Sequence, residues 1–68
     1  MESLTNYEIQ LYSLLELYDE PQTVKKLSRD SKMDLSAVYK TLKKLEIKDL
    51  ILCVSDSPIK YTIIKDDN

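Results

Sequence analysis

The sequence predicts a mostly α (α+β) domain of three helices followed by a two-stranded β-hairpin. Two patterns carry that prediction. From Thr5 to about Lys48, cap residues and turn breakers divide the chain into three stretches with helical apolar spacing. After Leu50 the period changes, and β-branched or aromatic runs flank a short polar turn. At 68 residues the chain holds one domain, assigned to 1–64, and a short acidic tail at 65–68.

The first helix starts in "LTNYE". Thr5 and Glu8 have the spacing of a capping box, and Leu4 and Ile9 that of a hydrophobic staple. The helix is expected to end at Tyr18 or Asp19, ahead of Pro21. Tyr7, Leu11, Leu14, Leu15 and Tyr18 share its apolar face, whereas Ile9 and Leu17 fall outside it. A short second helix, capped by Thr23, turns Val24 and Leu27 inward and ends near "RDSK". A tight "KMDL" connection follows, with Met33 buried and Asp34 as the next cap. In the third helix, about 34–48, Leu35, Val38, Leu42 and Leu45 recur at spacings of 3 and 4 and form the buried stripe. Tyr39, beside that stripe, is read as core. Ser36, Ala37, Lys40, Lys43 and Lys44 lie on the other side.

"ILCV" and "IKYTII" read as antiparallel strands joined by "SDSP", with Pro58 in the turn or at a strand edge. Ile59, Tyr61 and Ile63 share one face; Lys60, Thr62 and Ile64 share the other. Cys53 is read as a small core residue.

Composition excludes several classes of function. With one cysteine there is no internal disulfide, and with no histidine a conventional metal cluster has no ligands. Missing histidine and glycine also remove His-based triads and glycine-rich phosphate loops, so neither an enzyme nor a cofactor is expected. The acids Glu2, Glu8, Glu16, Asp19 and Glu20 read as a solvated helix face. No apolar run reaches the roughly 18 residues of a membrane span, and the expected location is the cytoplasm.

The net charge of −2 conceals a segregation. Residues 1–20 hold five acids and no base, whereas residues 21–48 hold eight bases against three acids. Local potential steers a ligand more directly than the sum does, so the low pI does not exclude a nucleic-acid partner.

Two short helices joined by a tight turn, the second basic on its outer face, with a hairpin behind, form a winged helix-turn-helix. In that motif the second helix of the pair enters the major groove. Small residues at its start let the backbone approach the bases, and long cations further along reach phosphates. The opening Leu4, Thr5, Tyr7, Glu8 and Tyr12, then Ser36, Val38, Tyr39, Leu42, Leu45 and Glu46, the closing "LI", and Pro58 and Tyr61 in the wing form a recurring pattern. On these residues the sequence, from about Leu4 to Ile63, resembles the DNA-binding domain of the TrmB-like transcriptional regulators, best known from archaea. Where such families place a glycine before "LI", this chain has Asp49, a tolerable residue for a left-handed exit. Larger members carry a sugar-binding effector domain; this length has no room for one, and no small-molecule ligand is expected.

The expected function is sequence-specific binding of double-stranded DNA as a small transcriptional regulator. Ser36, Ala37, Lys40 and Thr41 are expected near base edges, and Lys43, Lys44, Lys25 and Lys60 at phosphates. A homodimer is expected through the first helix, at Ile9 and Leu17. The alternative is a winged-helix protein-interaction module, an adaptor in a transcription or segregation assembly.

Overall fold

A computed structural model describes residues 4–64, so the tail assigned to 65–68 lies outside the described residues. The chain runs α1 (Asn6–Tyr18), β1 (Gln22–Thr23), α2 (Val24–Ser31), α3 (Leu35–Ile47), β2 (Ile51–Asp56) and β3 (Ile59–Ile63). Among the described residues three strands form one antiparallel sheet in the order β1-β3-β2. The hairpin was expected from the sequence; the two-residue β1, which pairs Gln22 with Tyr61 and Thr23 with Lys60, was not. β2 also runs two residues beyond "ILCV", with a register shift between Cys53 and Ser55, which leaves Ser57 and Pro58 as the turn.

The capping box forms as expected. The Thr5 amide donates to Glu8 Oε1 at 2.8 Å, and the Glu8 amide donates to Thr5 Oγ1 at 3.2 Å. Leu4 packs against the core, while Ile9 keeps half its surface exposed. The buried stripe of α1 is Glu8, Leu11 and Leu15, rotated from the expected face. Tyr7 is therefore exposed, and Leu14 and Tyr18 are half-buried. Glu8, expected in water, is buried because Lys48 of the α3 exit reaches it with Nζ 3.0 Å from Oε1. The Thr5 amide, followed by Lys48, holds the Glu8 carboxyl below its ordinary range against the cost of burial.

Leu11, Leu15, Leu27, Val38, Leu42, Leu45, Ile51 and Tyr61 make the core, and all three helices and the hairpin contribute to it. Met33 and Cys53 pack at its edge and are half-buried. At the exit of α3, Asp49 has φ 62°, its amide donates to Glu46 O, and the Leu50 amide donates to Leu45 O. These two bonds are the Schellman closure that usually calls for glycine.

Candidate nucleic-acid interface

The helix-turn-helix pair is α2 and α3, joined by Lys32, Met33 and Asp34. No glycine is available to make this turn, and Lys32 adopts the left-handed conformation at φ 60°. Hydroxyls and an amide fix what the backbone leaves open. Ser28 Oγ donates to Met33 O at 2.6 Å, the Met33 amide donates to Ser31 Oγ at 3.3 Å, and Gln10 Nε2 of α1 donates to Ser31 O at 3.0 Å. Thr23 caps α2 by accepting from the Lys26 amide. Asp34 occupies the cap position of α3 but makes no side-chain capping bond.

Along α3 the structure separates the expected site residues. Ser36, Lys40, Lys43 and Lys44 are exposed, and Ala37 is half-buried. Thr41 does not belong with them: it is buried, and its hydroxyl donates to Ala37 O at 2.8 Å. Its place is set by helical period, since three residues beyond Val38 it sits only about 60° from the core stripe. Lys25 of α2 is exposed and lines the same groove as Ser36. Lys60 lies in the central strand β3, opposite Thr23 and Ser55, and is half-buried.

Two residues assigned to the core by the sequence are on the surface. Leu35 and Tyr39 are 49% and 40% exposed. Val38, Leu42 and Leu45 already fill the contact with α1 and the sheet, so the border of the stripe turns outward toward Pro58. Lys43 stands 5.3 Å over the Tyr39 ring and 3.8 Å from Glu46 Oε1. The hydroxyls of Tyr61 and Tyr39, then Glu46, hold its ammonium above the ordinary range. Among the described residues, Lys25, Lys40 and Lys44 make no ion pair or hydrogen bond through their ammonium groups. On the other flank, Lys26 pairs with Asp30 at 3.4 Å, and Asp30 accepts from the Tyr18 hydroxyl. That hydrogen bond, then Lys26, keeps the Asp30 carboxyl low.

The sequence model of one family, described as sugar-specific transcriptional regulator TrmB, matches residues 3–66. The chain belongs to the TrmB family. Its resemblance at the capping box, the third helix and the wing therefore extends over nearly the whole chain. Solved structures share the fold of this TrmB-family chain. ST1889 protein from the thermoacidophilic archaeon Sulfolobus tokodaii superposes with a TM-score of 0.84 at 21% identity, covering 91% of this chain and 63% of that one. The Zα domain of PKZ from Carassius auratus, in complex with Z-DNA, superposes with a TM-score of 0.82 at 14% identity, covering 93% of this chain and 100% of that one. ZitR from Lactococcus lactis gives 0.70 at 23% identity, covering 96% of this chain and 45% of that one. The chain thus spans less than two thirds of the length of ST1889 and of ZitR. No curated protein matches the sequence. No helix among the described residues is long and apolar enough to cross a membrane.

Proposed function

We propose that this TrmB-family domain binds double-stranded DNA as a transcriptional regulator in the cytoplasm, without enzymatic activity, through the outer face of α3. One observation carries the reading. The helix that follows the tight turn presents Ser36, Lys40 and Lys44 to solvent, with no partner for either lysine among the described residues. Ser36 and Lys40 approach base edges, with Ala37 allowing close contact. Lys25, Lys43 and Lys44 meet phosphates, and Lys60 does so from the sheet. Phosphate contacts supply most of the affinity and the salt dependence; base contacts supply selectivity. Family membership supports the reading, and one domain of the same fold is in complex with DNA.

The same proposal includes a homodimer that sets two copies of α3 about 34 Å apart on a palindromic site. Ile9 and Leu17 support it, being 49% and 76% exposed on α1. Those residues would serve an adaptor module equally well, and one experiment separates the two readings. Anisotropy of a labelled mixed-sequence duplex is measured at low and moderate salt, for the native chain and for Lys40→Glu with Lys44→Glu. DNA binding gives an affinity that falls with salt and collapses in the variant. Equal inertness of both proteins leaves the interaction module as the better reading.

A further inference from the structure

The exposed face of α3 is not uniformly basic. Leu35 and Tyr39, one turn apart, join Val24, Pro58 and Ile59 in lining an open groove of about 820 Å3 between the starts of α2 and α3 and the wing turn. Nothing among the described residues covers it. Lysines border it: Lys25 forms part of its wall beside the neutral Ser36, Lys43 stands over Tyr39, and Lys40 follows Tyr39 along the same helix and is exposed. Lysines around an apolar floor are complementary to a polyanion that also carries small apolar groups. They oppose a purely apolar protein surface, which would have to desolvate them. Duplex DNA meets the description in one way. Among the groups presented in the major groove, the thymine C5-methyl is the apolar one, and it is read by apolar contact.

We propose that Leu35, Tyr39 and Pro58 form a thymine-reading surface, so that the domain selects sites by burying C5-methyl groups beside the bases contacted from Ser36 and Lys40. This rests on the DNA-binding reading above and goes beyond it by assigning specificity to residues that make no hydrogen bond to a base. The groove places the phosphate-binding cations and the methyl-binding side chains on one surface. A duplex held by Lys25 and Lys43 therefore lies against the apolar floor.

The test begins with duplexes selected by the native chain from a random library. Affinity is then measured for a selected duplex and for versions in which each thymine in turn is replaced by deoxyuridine, a change that removes only the methyl group. Burial of a methyl predicts a loss of about threefold to fourfold at one or more positions. In Leu35→Ser and Tyr39→Ser chains, shown to be folded by circular dichroism, thymine and deoxyuridine at those positions bind alike. Three results overturn the proposal. Equal binding of all thymine and deoxyuridine forms by the native chain removes it while leaving DNA binding intact, and that comparison needs no variant to fold. An undiminished loss in both variants removes it by showing that the methyl acts through the duplex instead of the groove. Failure of the native chain to bind any duplex removes the DNA reading itself, and this inference with it.

Discussion

Asp19, Lys32 and Asp49 each take a left-handed backbone conformation, at φ 58°, 60° and 62°, in a chain without glycine. For a residue with a Cβ that conformation costs on the order of 1–2 kcal/mol, less for Asp than for Lys. Lys32→Gly is therefore expected to raise stability by about 1 kcal/mol in urea unfolding, and Asp49→Gly by less. No change in the midpoint for Lys32→Gly would show that the turn is not strained. Asp49 was legible in the sequence, because an acid stands where the family pattern has glycine. Lys32 was not, since nothing local distinguishes it from the other polar residues of that turn. Glu8 was half legible. Its capping role follows from a three-residue spacing, but its burial depends on Lys48, forty positions away. That pair makes a pH prediction. A carboxylate whose folded pKa is lowered contributes its full stability above its unfolded value, about 4.5, and loses it as pH falls through the lowered folded value. In Lys48→Met, Glu8 keeps the Thr5 amide and loses the cation, so its folded pKa rises. Acid unfolding followed by circular dichroism should then begin at a higher pH than in the native chain.

The elements were legible wherever a periodic face or a cap marks them. α1 begins at its capping box, α2 at Thr23, and the hairpin where Ile51 starts a strand. β1 was not, because two residues carry no alternation and exist as a strand only through pairing with β3. Site residues followed the same division. Ser36, Lys40 and Lys44 could be assigned outward because the stripe of Val38, Leu42 and Leu45 claims the opposite side. Leu35, Tyr39 and Thr41 lie near the borders of the stripe, where tertiary neighbours decide. Leu35 and Tyr39 went outward beside the wing turn, and Thr41 went inward. The relation between α2 and α3 depends on side chains more than in a glycine turn, and Ser28 of α2 holds the turn that leads into α3 through Met33 O. Ser28→Ala removes a part-buried hydrogen bond and is expected to cost about 1 kcal/mol of stability. DNA affinity should fall as well, because the angle of α3 to α2 loosens while every lysine remains. An unchanged affinity alongside the stability loss would show that the turn supports folding without positioning α3.

At the scale of the whole molecule, the charge segregation along the chain becomes a segregation by element. Exposed acids such as Glu16 and Glu20 belong to α1 and its exit, while Lys25, Lys40, Lys43 and Lys44 project from α2 and α3. A net charge of −2 therefore coexists with a cationic face, and salt dependence reports on that face alone. The slope of log affinity against log salt is about −0.9 for each phosphate neutralised. The four lysines proposed at phosphates, Lys25, Lys43, Lys44 and Lys60, thus predict a slope near −3.6 for one protomer, and a dimer on two half-sites predicts about −7. This makes the oligomer measurable on DNA as well as in free solution. Leu17→Glu introduces a charge at the most exposed large hydrophobic residue of α1, where a monomer tolerates it and a dimer interface does not. The native chain should scatter light as a dimer and show the steeper slope, and the variant should scatter as a monomer with its slope halved. A native chain that is monomeric both free and on DNA, with a slope near −3.6, would remove the dimer and leave single-site binding by α3.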